Sequence, residues 1–380
     1  MKKQLLMLFV LATSSLLAQV QYKEIESSKL SETRKLKIQL PRNYDNNKDH
    51  SYPVILVFDA DYLFEPVAGN VDYFSYWEDM PQALVVGIMQ SDREADSYYD
   101  SNSLPAESGA DFFEFIGMEL FPWLANNYRI TNFNIAVGHD LTANFANNYL
   151  LKKPALFQGY ISISPDFAPQ MKSRLSSILS NTEEPVFYYQ ATGTEDIKPL
   201  RDDILALDTD FKQIKNPNFK YYFDDFDGAT HYTLAARAIP KALEELFATY
   251  RPISQKEFKE VILKLDETSA YDYLVEKYAT IESLYGLKTQ IRINDFIAVA
   301  AALEKKQDAE ALENLGKLAN KEYPKTMMGN YYLARSYEID GEPKKAMRTY
   351  QNSLMLKEEG NINKDLMISR ADKIKEDFGY

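Results

Sequence analysis

The chain contains no cysteine, which excludes disulfides, thiolate metal centres, a cysteine nucleophile and a lipid-modified N-terminal cysteine. Histidine is scarce: His50, His139 and His231 are too few for a multi-histidine metal site, and nothing in the sequence calls for a metal or a cofactor. Positive charge is also in short supply. Lys and Arg number 43 against 56 Asp and Glu, for a formal charge of −13, and that balance argues against nucleic acid and anionic membrane as main partners. Beyond residue 18 no apolar run is long enough to cross a bilayer, so no membrane span is expected in the mature chain.

What remains is an ordinary globular composition. The chain has 380 residues, 45% hydrophobic and 26% charged, with abundant Tyr and Phe, enough for two domains or one large α/β domain with an appendix. Lys2 and Lys3 precede the apolar run Leu5 to Leu11, followed by small residues and Leu16-Leu17-Ala18-Gln19. That order of charge, apolar core and small residues predicts a cleaved secretory signal over residues 1–18, and hence a periplasmic or extracellular protein.

From about residue 30 to 250, short apolar or β-branched runs alternate with helical patterns, as in a mostly parallel sheet with helices on both faces. The expected strands are Lys35 to Leu40, Val54 to Phe58, Ala83 to Ile88, Asn134 to Val137, Tyr160 to Ile163, Val186 to Tyr189 and Lys220 to Phe223. Asp111 to Tyr128 has helical spacing, with Phe112, Phe115, Ile116, Leu120 and Leu124 on one face, and a second helix is expected from Leu141 to about Leu151. The sheet-forming part is placed at 19–252 and a wholly helical part at 253–380. In the latter, a shift of 34 residues aligns Val299 with Leu333, Ala300 with Ala334 and Leu303 with Tyr337. This is the period of tetratricopeptide repeats, and Leu333, Ala334, Tyr337, Ala346 and Tyr350 hold that family's packing positions; the earlier unit departs at Leu312 and Gly316. Two such hairpins need further cover, from the preceding helices or the sheet domain, and their surfaces suit a protein partner.

The chemistry centres on Gly138-His139-Asp140-Leu141-Thr142, where the buried run Ile135-Ala136-Val137 turns into a helix. That is the setting of a nucleophile elbow, in which a sharp turn lifts the central side chain above the carboxyl ends of the strands. The sequence resembles the α/β-hydrolase superfamily, in particular the esterase branch that includes esterase D and siderophore esterases. The likeness spans residues 30–250: Leu40-Pro41 with Tyr44, Tyr52-Pro53-Val54, Phe58-Asp59-Ala60, Val85-Val86-Gly87-Ile88 before Arg93 and Asp96, Glu119-Leu120 with Pro122, Gly138-His139, Pro154 with Leu156-Phe157, and Ile163-Ser164-Pro165. The resemblance implies an α/β-hydrolase fold and a triad in the order nucleophile, acid, histidine. It maps the nucleophile to Asp140, the acid to Glu195 or Asp196, the base to His231, and the oxyanion or binding positions to Leu141, Ala60 and Asp61. His139 is expected to pack or to brace the elbow, and His50 to be solvated.

One departure outweighs these matches. The family carries serine at the elbow, and this chain carries aspartate. A serine hydroxyl gives its proton to histidine as it attacks an acyl carbon, whereas a carboxylate has no proton to give and would form an anhydride. No other glycine opens a Gly-x-Ser-x-Gly motif. The principal expectation is a hydrolase scaffold with lost or altered activity and a binding or assembly role, with Asp140 paired to His231. The alternative is an active hydrolase on an ester, epoxide or haloalkane, using Asp140 as nucleophile or base with His231, and the Tyr62 to Trp77 segment as a source of pocket aromatics. An ester-like small molecule is a candidate ligand, and in the principal reading the old cleft holds a polar ligand or nothing.

Overall fold

A computed structural model describes residues 20–380; the expected signal segment, 1–18, lies outside them. Eight strands form one sheet in the order β1-β2-β4-β3-β5-β6-β7-β8. They are β1 Val20–Ser27, β2 Glu32–Gln39, β3 Tyr52–Val57, β4 Leu84–Ile88, β5 Ile130–His139, β6 Gly159–Ile163, β7 Val186–Glu195 and β8 Phe219–Thr230. β1 with β2 and β2 with β4 run antiparallel, and the rest are parallel. The half-exposed β1 carries little apolar signal and is absent from the sequence expectation, while β7 and β8 run well past the short runs that announced them.

The central strands are continuous apolar runs because both faces are covered, and every residue of β3, β4 and β6 is buried. Alternate residues feed two cores. Ile55, Val57, Ile135 and Val137 face one layer; Val54, Leu56 and Ala136 face the other. The second layer contains the expected helix face, with Phe112, Phe115, Ile116, Leu120 and Leu124 all fully buried. The helix itself is not uniform. The backbone runs from an α segment, Ser108–Glu114, through a wider π segment, Phe115–Leu120, into a second α segment, Phe121–Asn127. Pro122 has no N–H to donate four residues back, and it sits in the first turn of the last segment, where that donor is not needed.

The first layer includes helix α1, Phe64–Tyr76, and helix α2, Leu234–Leu246. After β8 every regular element is helical. Helix α3, Ala270–Tyr285, is followed by α4 Ile293–Lys306, α5 Ala309–Glu322, α6 Met328–Ile339, α7 Pro343–Asn352 and α8 Lys364–Phe378. The apolar core continues without a break from the sheet into these helices. Tyr285 is the joint: its ring packs 5.0 Å from Phe133, and its hydroxyl donates to the Leu246 carbonyl at 2.9 Å. Fully buried Asp295 ties the same region down, accepting from the Ile253 amide and the Tyr278 hydroxyl, each at 2.8 Å. Gly316 also finds its reason here. A Cβ there would come within 2.8 Å of Leu333 Cγ and 2.9 Å of the Gly329 carbonyl, so glycine lets α5 and α6 approach closely.

Candidate functional site

The parallel strands deliver their carboxyl ends to one rim, the usual place for a site in such sheets. Asp140 stands between the end of β5 and the short helix Leu141–Ala146, at φ 60° and ψ −121°. A non-glycine residue at positive φ is strained, and such strain is held only where the surroundings dictate it. Here they do. A Cβ on Gly138 would lie 2.7 Å from the Ala143 nitrogen and the Thr142 carbonyl carbon, so glycine is required for strand and helix to meet. The Asp140 amide donates to the Ile163 carbonyl at 3.0 Å, and its carbonyl accepts from the Asp166 amide at 3.2 Å. Buried Thr142 accepts from the His139 amide at 3.1 Å and donates to Asp59 at 2.6 Å.

The Asp140 carboxylate is partly exposed and pairs with Arg93, whose Nη1 donates to Oδ2 at 3.1 Å. Among the described residues no hydrogen bond or ion pair joins Asp140 to His231, so the pairing expected from the sequence is replaced. The reason lies in Arg93. Its Nε donates to Asp59 Oδ1 at 2.7 Å, and Nη2 reaches Asp59 Oδ2 at 3.3 Å and the His139 carbonyl at 2.8 Å. These bonds fix the guanidinium beside the elbow. Burial alone would lower the Arg93 pKa, but the hydrogen bond and charge of Asp59, then Tyr62 and the Asp140 hydrogen bond, outweigh it and raise the value.

On the other side of the rim, His231 Nδ1 lies 3.0 Å from Asp196 Oδ1 and 3.0 Å from Ser164 Oγ. Asp196 also accepts from the Thr192 hydroxyl at 2.9 Å and the Ile197 amide at 2.8 Å. Burial pushes its pKa up, yet the hydrogen bonds from His231, Ser164, Thr192 and Ile197 prevail and bring it down to about 2. Asp196 is thus the carboxylate brought to the imidazole. Glu195, the other candidate, is exposed, because one residue along an extended strand end reverses the direction of the side chain.

His139 joins the two sides. Its Nε2 meets the His231 carbonyl at 3.2 Å and its Nδ1 meets the Tyr62 hydroxyl at 3.0 Å. Donation to a carbonyl requires the proton on Nε2, which leaves Nδ1 an acceptor, and the single Tyr62 hydroxyl proton is shared between Nδ1 and Asp59 Oδ2, 3.1 Å away. Burial, then the neighbouring His231, lower its pKa to about 4, so the ring is neutral near pH 7. This is the bracing part expected for His139.

The oxyanion positions divide. The amides of Leu141 and Asp61 have no hydrogen-bond partner among the described residues. The Ala60 amide donates to the Ile88 carbonyl at 3.2 Å, so the expectation for Ala60 is corrected: that N–H holds the strand-end turn. Within the Tyr62 to Trp77 segment only Tyr62 reaches the site residues; Phe64 is in the core, and Tyr73, Tyr76 and Trp77 are exposed. His50 is exposed as expected.

Asp59, Arg93, Thr142 and Ser164 were given no site role from the sequence, and Tyr62 only a place in a pocket-lining segment. Their signal was membership in the runs that carry the family resemblance and position, since Asp59 follows β3, Arg93 follows β4 and Ser164 follows β6 at the same rim.

The family model described as "Putative esterase" matches residues 27–239. This chain belongs to that esterase family. A crystal structure of an uncharacterised protein from Capnocytophaga ochracea is similar over nearly the whole length, with 30% identity, TM-score 0.86, and coverage of 94% of this chain and 100% of that one. An IroE-like serine hydrolase from Shewanella oneidensis is similar at 19% identity and TM-score 0.60, covering 80% of this chain and 99% of its own. A siderophore hydrolase, EstA from Aspergillus nidulans, is similar at 13% identity and TM-score 0.53, covering 61% and 95%. These last two share the fold. No curated protein matches the chain. The esterase family's α/β-hydrolase fold, followed here by a helical extension, is what the sequence resemblance implied.

Proposed function

We propose that this chain is an exported member of the esterase family that has given up acyl transfer and uses its cleft to hold a small polar molecule. The observation that carries this reading is the Arg93–Asp140 ion pair at the elbow. A carboxylate already neutralised by a guanidinium is a poor nucleophile, and His231 has no proton to withdraw from it. Two features that would assist a serine support a residual hydrolase frame: the Asp196–His231 pair and an unpartnered Leu141 amide. Polar groups at the strand-end rim with no competent nucleophile suit recognition. The helical part, with the spacing of tetratricopeptide hairpins, would present this module to a protein partner.

The test is turnover of short-chain aryl esters by the purified mature chain. No rate above buffer is expected. Hydrolysis that disappears in Asp140→Ala would overturn the reading.

The Asp196–His231 pair favours a second reading, in which Asp140 attacks an sp³ carbon and His231 directs water at the resulting ester. Single-turnover reactions with epoxides and haloalkanes in heavy-oxygen water separate the two. Label in Asp140 would establish the second reading, and turnover without label would exclude it.

A further inference from the structure

Lys37 lies in the middle of β2 between Leu36 and Ile38, both fully buried in the second core layer, so its own side chain turns to the opposite face of the sheet. It is only 7% exposed there. Its ammonium donates to the Ala60 carbonyl at 3.0 Å and to Glu65 Oε1 at 2.8 Å, and it stands over the Phe64 ring. The Glu65 side chain is largely in solvent, which screens the ion pair and leaves it little value for stability. A buried charge is often replaced by an apolar side chain without loss, so its presence here calls for a reason other than stability. The contact that is held away from solvent is the one to the carbonyl.

That carbonyl belongs to the turn after β3, where the rest of Ala60 is tied down as well. Its amide donates to the Ile88 carbonyl at 3.2 Å. Its Cβ rests on Gly87, the residue paired with Lys37 across β2 and β4, where an added Cβ would come within 2.8 Å of it. Asp59, just before, is kept at φ 52° with its amide donating to the Gln90 side chain at 3.0 Å. The Ala60–Asp61 peptide is trans, and in a trans peptide the carbonyl and the following N–H point in opposite directions. With the carbonyl drawn down to Lys37, the Asp61 N–H faces away from the sheet, on an exposed residue, and has no partner among the described residues. A cation on the carbonyl also polarises the peptide and makes that N–H a stronger donor.

We infer that Lys37 is a positioning residue for the rim: it fixes and polarises the Ala60–Asp61 peptide so that the Asp61 amide can donate to an acceptor oxygen of a bound molecule. The inference rests on the reading of the rim as a place that holds a polar molecule, and adds what sets the direction of one of its donors.

Solvent-exchange NMR on the isotope-labelled mature chain tests it. In the parent, the Asp61 amide should exchange within about tenfold of an unprotected amide. Lys37→Met should slow that exchange by about fourfold or more, the effect of one charge about 5 Å away through water. Lys37→Arg keeps a cationic donor and should stay within about twofold of the parent. Glu65→Gln spares the carbonyl contact and should leave the exchange unchanged. General loosening of the turn does not slow an amide that is already open, so slowing separates positioning from stability alone. In the Asp140→Ser background, Lys37→Met should lower kcat for aryl esters by about tenfold with KM within about twofold, because the donor acts on charge that develops in the transition state. Protection of the parent Asp61 amide by about a hundredfold, unchanged exchange in folded Lys37→Met, or an undiminished kcat would overturn the inference, and the first of these needs no variant to fold. The exchange is read whether or not Asp140→Ser hydrolyses esters, so failure here is distinguishable from failure of the reading of the elbow.

Discussion

The two sides of the rim carry similar residue types in opposite conditions. On the β7–β8 side, Asp196, Ser164, Thr192 and His231 form a network in which a depressed carboxylate orients an imidazole and leaves one ring nitrogen open. On the β3–β5 side, Asp59, Arg93 and Asp140 form a closed cluster in which the guanidinium is shared by both carboxylates. The first arrangement can move a proton; the second only holds charge. On the proposed reading, acyl transfer in this scaffold needs an atom on one side of the rim that can be deprotonated, and the β3–β5 side as built offers none to the acid–histidine pair opposite.

The largest expected effect comes from restoring that atom. In Asp140→Ser the backbone strain at φ 60° is unchanged in kind and the Arg93 contact is lost. If the β7–β8 side is as ready as its hydrogen bonds indicate, short-chain aryl ester turnover should rise by about a hundredfold or more over the parent chain. The gain should vanish when His231→Ala is added. A folded Asp140→Ser protein with no gain would break the comparison, because the β3–β5 side would then differ from a working esterase by more than one residue.

Next is the pH dependence, in which the two sides separate by window. Folded His139 has its pKa lowered from 6.5 to about 4, so between those values the unfolded chain binds a proton that the folded chain refuses. Stability therefore falls as pH falls through that window, by about 3 kcal/mol when complete. Asp196, lowered from 3.8 to about 2, contributes stability that is fully present above 3.8 and is lost only as pH falls towards 2. Urea melts of His139→Gln at pH 7 and pH 4 should show a smaller difference between the two pH values than the parent chain does. An unchanged difference would remove His139 from the account.

Arg93→Met sharpens the other side. It strands Asp59, whose side chain is 2% exposed, and frees Asp140. A fully buried pair broken in this way costs roughly 3–5 kcal/mol, and the 30% exposure of Arg93 lowers the expectation to about 2–3 kcal/mol. Adding Asp59→Asn should recover part of that loss. If Arg93→Met alone is neutral in urea melts, the cluster is not what holds the elbow.

Much of this site was legible before the structure because it sits on regular elements. The run Ile135-Ala136-Val137 ahead of Gly138 places Asp140 at a strand-to-helix turn, and a loop after a late strand places His231 at the same rim. What escaped were pairings across loops. Arg93 and Asp59 lie 34 residues apart and Arg93 and Asp140 47 apart, and no periodicity links such positions. The assumed Asp140–His231 pair failed for the same reason: it paired the charges already in view, and a guanidinium on a neighbouring loop took the carboxylate instead. A fold detail also escaped: the helix expected over Asp111 to Tyr128 has a π segment, Phe115–Leu120, in its middle, which helical spacing alone does not announce.

The smallest expected effect concerns the acid. Glu195 and Asp196 are adjacent in sequence and equally plausible there, yet one is exposed and the other is almost fully buried against His231. Replacing Glu195 by Gln removes a surface charge and should change stability by less than about 0.5 kcal/mol. In the Asp140→Ser background it should leave ester turnover within about twofold, since an exposed charge outside hydrogen-bond reach of the imidazole is screened by water and salt. Asp196→Asn in that background should instead abolish most of the gain, because an amide can turn its N–H toward Nδ1 and favour the wrong tautomer, withdrawing the lone pair from the open nitrogen. Equal losses from the two substitutions would mean that the β7–β8 network is not the organised half of the rim, and the contrast between the two sides would fall with it.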